Sequence, residues 1–259
     1  MKKQLKIVKI GGNVINDSEQ LDAFIHDFSE LDGLKILVHG GGRKATEIAD
    51  SLGLEPKMIG GRRVTDEANL EIVTMVYAGL LNKKIVAKLQ NSGCNALGLS
   101  GADANLIQAH KRIVKDIDYG FAGDIDKVEG KTISLFLNGG LVPVFSAITH
   151  DKKGQLLNTN ADTIAAELAK ELSLDFEVEL VYCFEKNGVL QQVENDNSVI
   201  QEIDKNKYEL LKKSGVIAEG MLPKMENCFD ALQGGVHKVH IGNPALVSDM
   251  KLKHTTLML

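Results

Sequence analysis

Five short stretches hold residues whose types and spacing could do chemistry. In Lys9-Ile10-Gly11-Gly12-Asn13 a lysine closes an apolar run and a glycine pair follows at once. The C-terminal end of a parallel strand is where α/β folds place their ligands, and glycines there let backbone N–H groups approach an anion unobstructed. Val38-His39-Gly40-Gly41-Gly42 repeats the pattern ahead of a helix starting near Lys44. Three glycines feeding a helix N-terminus make a cradle for an oxyanion or carboxylate. The loop is neither a Walker A nor a GxGxxG fingerprint. His39 could act as a base, but a packed, hydrogen-bonded ring is the expected role. In Gly60-Gly61-Arg62-Arg63-Val64-Thr65-Asp66, arginines in a glycine turn could clamp a carboxylate bidentately, or lie in solvent. Asn158-Thr159-Asn160-Ala161-Asp162 runs into a helix start, and capping accounts for only one of its three Asn and Asp residues. In Gly220-Met221-Leu222-Pro223-Lys224 a lysine enters a helix against its dipole, which points to an anion nearby.

Two lysines, glycine cradles, an arginine and an aspartate, with no Ser/His/Asp arrangement and no metal-ligand cluster, suit phosphoryl transfer. There catalysis is mostly positioning and charge neutralisation. The missing base also bears on the acceptor. A hydroxyl needs a base, whereas a carboxylate with a pKa near about 4.3 is already ionised at neutral pH. The inventory leans toward formation of an acyl phosphate.

These residues must be positioned by strands and helices in alternation. Apolar runs of strand length lie at Leu5 to Ile10, Leu34 to Val38, Ala96 to Leu99, Leu141 to Phe145, Val178 to Phe184 and Val236 to Ile241. Helical patterns separate most of them, at Ser18 to Leu31, Lys44 to Leu52 and Asp162 to Leu172. The last carries an apolar stripe of Ile164, Ala165, Leu168, Ala169 and Leu172. The alternation predicts a mainly parallel sheet covered on both faces. Ile107 to Leu137 breaks the rhythm with β-like pieces around Gly120, Gly123 and Gly130, predicting a hairpin excursion. Asp66 to Asn91 predicts one long helix with Thr65 as its N-cap. Its apolar residues fall all round the cylinder, so it is either a core helix or a subunit interface. No linker divides the chain, so two lobes, if present, share one sheet.

Composition agrees with that architecture. The 259 residues are 44% hydrophobic and 25% charged, enough for one large core or two modest ones. A net charge of −5 builds no basic face, which argues against nucleic acid as a partner. With 25 glycines, 4 prolines, 5% aromatics and no Trp, tight turns between aliphatic elements are expected. Cys94, Cys183 and Cys228 form no CxxC pair, as in a reducing compartment. The first apolar run stops at Gly11, short of a signal core or a membrane span. A cytoplasmic protein with no membrane anchor is expected.

Lined up in order, KIGG, HGGG, GxRVTD, LGLSGAD, DYGFAGDI, NTNAD and GMLPK make the chain, from about Leu5 to Ile241, resemble the amino acid kinase family, in its branch acting on N-acetylglutamate. The resemblance implies a three-layer αβα sandwich on a mainly parallel sheet. It implies residues 1–174 as an N-acylglutamate-binding lobe with a dimer helix, and residues 175–259 as a nucleotide-binding lobe. It further implies ATP, Mg²⁺ carried by the nucleotide, phosphorylation of the γ-carboxylate of N-acetyl-L-glutamate in arginine biosynthesis, and no metal site of the protein's own. Lys9 and Lys224 match the lysines that hold the transferring phosphoryl group, and Asp162 the aspartate that organises them. Gly11, Gly12 and Gly41 match backbone donors to the phosphate and reacting carboxylate, Gly42 a donor to the substrate, Arg63 the clamp on the α-carboxylate, and Asn158 the asparagine near the acylamino group. Glu185, Lys186, Asn187, Gly188, Gly220 and Met221 fall in the nucleotide loops. A homodimer through Asp66 to Asn91, insensitive to arginine, is implied because no helix precedes the first strand.

The chain departs from the family pattern in three places. Phe184-Glu185-Lys186-Asn187-Gly188 stands where the family reads Ser/Thr-Asp-Val before a glycine. Arg43 and Arg62 add positive charge near the acceptor motifs, so N-succinyl-L-glutamate is an alternative acceptor, unless both arginines point to solvent. Another acceptor within the family is a second alternative, and a non-catalytic amino-acid or nucleotide sensor of the same fold a third; both lysines and the aspartate argue against the sensor.

Overall fold

The computed structural model describes residues 2–60, 62–114, 116–217 and 221–259. In chain order the strands are β1 (Lys3–Ile10), β2 (Leu34–His39), β3 (Met58–Ile59), β4 (Arg62–Arg63), β5 (Ala96–Leu99), β6 (Ile107–Lys111), β7 (Gly123–Val128), β8 (Val142–Ser146), β9 (Ile148–His150), β10 (Leu156–Asn158), β11 (Phe176–Cys183), β12 (Glu202–Ile203), β13 (Lys238–Gly242) and β14 (Thr255–Leu257). The helices are α1 (Gly12–Asn16), α2 (Ser18–Ser29), α3 (Gly42–Ser51), α4 (Glu67–Val73), α5 (Asn82–Asn91), α6 (Gly130–Asn138), α7 (Ala161–Leu172), α8 (Lys205–Lys213) and α9 (Leu222–Gln233).

One sheet runs β12-β14-β13-β11-β1-β2-β8-β5, crossing residue 174 without a break. All its neighbours pair in parallel except β13 with β14. The central strand β1 explains its own continuous apolar run: Leu5, Ile7, Val8 and Ile10 are fully buried, because helices cover both faces. On one side α6, α7 and α9 pack together, the predicted stripe of α7 lying against β1, β2 and β11; α2 packs with α5 in the other layer. The result is the expected α/β architecture.

A second sheet, β10-β9-β6-β7, stands beside the first. Within the predicted excursion, β6 and β7 do form an antiparallel hairpin. The third expected β piece is instead helix α6, opened by Gly130, where a Cβ would lie 2.8 Å from the Glu171 side chain of α7.

The long helix is present, with two corrections. Its N-cap is Asp66, whose carboxylate accepts from Asn69 N at 2.8 Å; Thr65 is buried one residue earlier. Between α4 and α5, Thr74–Leu81 is π-helical. That wider turn places Tyr77 and Leu81 on the glycine loop after β2, as wide turns often do beside functional sites. Met75 and Leu80 are 57% and 49% exposed on the outside. Among the described residues, no helix is long and apolar enough to cross a membrane.

Candidate active site

Two cavities open beside the C-terminal ends of the central strands, where a parallel sheet presents its loops. The larger, about 1520 Å³, is lined by Lys9 near the end of β1, by Gly11 and Gly12 behind it, by Phe184, Glu185, Lys186 and Gly188 after β11, and by Met221 and Lys224 at the start of α9. The smaller, about 210 Å³, is lined by Gly40, Gly41 and Gly42, by Arg62 and Arg63, by Tyr77 and by Asn158. An ion pair links them. Lys9 Nζ lies 2.6 Å from Asp162 Oδ1, with both side chains only about a tenth exposed, 11% and 10%. Ala161, directly before Asp162, lines the smaller cavity.

Local sequence explains how Asp162 comes free for that pair. Asn160 caps α7, its side chain accepting from Asp162 N at 2.8 Å and Thr163 N at 3.1 Å. The Asp162 carboxylate is therefore not needed as a cap. Tyr182 Oη on β11 donates to the Asp162 carbonyl at 2.9 Å, pinning the helix start to the sheet.

Lys224 sits in the first turn of α9, behind Pro223. Burial draws its pKa below the ordinary lysine value; Asp162 works against that shift and Lys9 adds to it. Among the described residues no carboxylate lies within ion-pairing distance of Lys224, so its ammonium adds positive charge to the end of the cleft.

Arg63 is buried and every hydrogen-bond partner it has is neutral. Its guanidinium donates to Gly42 O at 2.9 Å, Thr46 Oγ1 at 2.6 Å and Asn69 Oδ1 at 3.3 Å. Among the described residues, no carboxylate lies within ion-pairing distance of it. A buried cation held this way is ready for an anionic ligand, because leaving it unpaired is costly.

The loop carrying Arg63 is itself anchored. Thr65 N donates to Tyr119 O at 3.0 Å, and Phe121 N donates back to Thr65 O at 2.7 Å. Gly120 between them has φ +67°, and a Cβ there would come 2.2 Å from Thr65 O. Asn158 joins the same knot, its Nδ2 donating to Thr65 Oγ1 at 3.0 Å.

His39 is fully buried and serves as a strut. Its Nδ1 donates to Gly40 O at 2.8 Å, and its Nε2 accepts from Asn82 Nδ2 at 3.1 Å. Burial pulls its pKa down to about 4, so the ring is neutral and holds the glycine loop, as the packed reading expects. A Cβ on Gly41 would lie 2.5 Å from Leu81 Cδ1 and 2.7 Å from Tyr77 Cδ1, so the π-helical turn presses directly on that loop.

The structure therefore brings Lys9, Gly11, Gly12, Glu185, Lys186, Gly188, Met221 and Lys224 to one cavity, and Gly41, Gly42, Arg63 and Asn158 to the other. Asn187 is spent elsewhere, accepting from Asn243 Nδ2 at 2.6 Å and lining neither cavity. Gly220 lies outside the described residues. Arg43 is a correction: it lines the larger cavity, 3.4 Å from Asn13 Oδ1, rather than the one holding Arg63.

Three residues at these cavities escaped the sequence reading. Tyr77 blends into the apolar pattern of the long helix, although a buried phenol needs a partner for its hydroxyl. Burial pushes the Tyr77 hydroxyl's pKa up, and the positive charge of Arg63 opposes that pull. Arg112, on the rim of the smaller cavity, pairs with Asp124 at 3.0 and 3.1 Å and holds that carboxyl below its usual range. Phe184 stands in sequence only as part of an unusual nucleotide segment, and its ring centroid lies 3.9 Å from Lys224 Nζ and 5.6 Å from Lys9 Nζ.

Residues 4–243 match the Amino acid kinase family. Acetylglutamate kinase of Bacteroides thetaiotaomicron is 51% identical over 249 residues, 96% of this chain and 97% of that protein. The acetylglutamate kinase of Cytophaga hutchinsonii is 53% identical over 92% of this chain and 91% of its own. Among solved structures, N-acetylglutamate synthase from Neisseria gonorrhoeae shares the fold, with a TM-score of 0.82 at 24% identity over 98% of this chain and 59% of that one. Similarity of that depth takes in both cavities and the ion pair between them, and on it the chain belongs to the amino acid kinase family.

Proposed function

We propose that this chain is an ATP-dependent acetylglutamate kinase, moving the terminal phosphoryl group of ATP onto the γ-carboxylate of N-acetyl-L-glutamate, a step of arginine biosynthesis. The observation that carries this reading is the cleft end where Lys9, paired with Asp162, and Lys224, with no carboxylate in ion-pairing distance among the described residues, line one cavity. A transferring phosphoryl group spreads negative charge over its equatorial oxygens, and the uncompensated ammonium matches it there. Asp162 orients both lysines. Gly11 and Gly12 offer backbone N–H groups to the phosphates, Gly41 to the reacting carboxylate and Gly42 to the substrate. Arg63 takes the α-carboxylate in exchange for its neutral partners, and Asn158 faces the acylamino group. Glu185, Lys186, Gly188 and Met221 border the nucleotide. The acceptor is ionised already, so no base is required, consistent with His39 being buried and neutral.

In this reading residues 1–174 hold the acyl amino acid and residues 175–259 most of the nucleotide site. The larger cavity, lined by Lys9, Lys186, Lys224 and the glycine loop, fits a polyphosphate. Mg²⁺ would come with the nucleotide and would neutralise part of the charge on its phosphates. We place the enzyme in the cytoplasm, consistent with three buried free thiols. A hydroxylamine trap supplied with ATP and N-acetylglutamate should accumulate the acyl hydroxamate. Trapping only with free glutamate, aspartate or carbamate as acceptor would overturn the assignment.

A second reading of the acceptor rests on the smaller cavity. Arg62 and Arg112 line it together with Arg63, and among the described residues only Arg112 of the three has a carboxylate partner. An acyl group bearing its own carboxylate, as in N-succinylglutamate, would use that surplus. The kcat/KM values for the two acylglutamates separate the readings: a clear succinyl preference supports the second, and an acetyl preference eliminates it.

We further propose a homodimer built on the helix from Glu67 to Asn91. The exposed Met75 and Leu80 on its outer face support this. Light scattering should give twice the 28.1 kDa chain mass; a monomer at micromolar concentration would remove the proposal.

A further inference from the structure

The side chain of Phe184 faces both lysines at once. Lys224 Nζ lies 3.9 Å from its ring centroid and Lys9 Nζ 5.6 Å, both within reach of the negative π face. The ring is not free to drift. Phe184 N donates to Gly242 O at 2.7 Å, and the ring stacks on Tyr182 at 6.0 Å with only 5° between planes. Tyr182 is tied in turn to the Asp162 carbonyl. A chain of contacts therefore runs from the carboxylate-bearing helix, through two aromatic rings, to both ammonium groups. Asp162 pairs with Lys9, and Phe184 presents its negative π face to both ammonium groups in the segment where this chain departs from its family's pattern.

We propose that Phe184 is a positioning residue for phosphoryl transfer: its ring face holds the ammonium groups of Lys224 and Lys9 together at the end of the cleft before the nucleotide's phosphates arrive. This rests on the assignment of the two lysines to the moving phosphoryl group. Lys224 gains the most, since its ammonium lies closest to the ring and has no carboxylate within ion-pairing distance among the described residues. The titratable and charged groups facing it are Asp162 from α7, Lys9 from β1, Cys228 one turn along α9, and Glu185 from the loop after β11. The ring adds an attraction that favours the charged lysine without adding a charge that would repel phosphate, which a second carboxylate would do.

The test uses the full chain carrying phenylalanine with one, two or three ring fluorines at position 184, a series that drains π density while keeping the shape of the side chain. We expect log kcat to fall in step with fluorine number, and Phe184→Leu to lose about tenfold. The alkaline limb of the kcat/KM profile should move to lower pH in the same order, because a weaker ring face favours the neutral amine over the ammonium. A purely structural ring would leave that limb in place. Lys224→Met serves as the control on the underlying assignment. If Lys224→Met is inactive while the fluorinated series is flat in both rate and pH limb, the role of Phe184 falls and the lysine assignment stands. If Lys224→Met turns over normally, the assignment itself fails, and the role of Phe184 with it.

Discussion

Replacing Lys9 by Ala is expected to lower kcat by about 10³-fold, the size of effect seen when one preorganised group facing transition-state charge is removed. The ammonium is buried, 2.6 Å from Asp162, so it acts where water screens little. The same burial complicates the measurement. Lys9→Ala leaves Asp162 without its partner, and breaking one half of a buried ion pair costs roughly 3–5 kcal/mol. Loss of activity could then be mistaken for loss of fold. The double variant Lys9→Met, Asp162→Asn separates the two, because it removes both charges at nearly constant volume. Thermal unfolding should show the single variant destabilised and the double variant largely restored, while turnover stays lost in both. Recovery of turnover in the double variant would mean that the pair is structural and that the phosphoryl group is held elsewhere.

How far the molecule is legible in its sequence depends on whether a signal is local. The strand β1 and the stripe of α7 are, because burial on both faces of a sheet forces a continuous apolar run, and burial on one face of a helix forces a 3.6-residue spacing. The glycine loops after β1 and β2 are legible for a similar reason: backbone must approach backbone or ligand, and only glycine leaves the room. What escaped depends on contacts across the chain. Nothing near Thr74–Leu81 announces a π-helical turn, whose Tyr77 and Leu81 pack against Gly41, more than thirty positions away. Arg43 and Arg62 look alike in sequence, yet one follows a glycine loop onto α3 and faces the larger cavity, while the other sits on a two-stranded ribbon and faces the smaller. Thr65 reads as a cap because of its type and place before a helix, but Asp66 fills that role and Thr65 is used by Asn158 and the hairpin. Phe184 is the sharpest case, since its meaning lies in which two ammonium groups face it, one from β1 and one from α9.

Arg63 should behave differently from Lys9, and the contrast tests the division of labour between the two cavities. Arg63→Ala is expected to raise KM for the acylglutamate by about 10²-fold, the worth of a charge-assisted bidentate pair, with a much smaller change in kcat and none in KM for ATP. An α-carboxylate keeps its full charge from ground state to transition state, so a clamp on it contributes to binding and orientation more than to the chemical step. Stability should change less than in Lys9→Ala, because the groups Arg63 leaves behind, Gly42 O, Thr46 Oγ1 and Asn69 Oδ1, are neutral, whereas Lys9→Ala strands a buried carboxylate. Arg63→Lys should not restore KM: a single ammonium cannot reproduce a planar fork that reaches loop, helix and ligand together. Steady-state kinetics with each substrate varied in turn reads all of this. A fall in kcat as large as that of Lys9→Ala, at unchanged acceptor KM, would move Arg63 from the acceptor's α-carboxylate to the transferring group. The smaller cavity would then need another occupant.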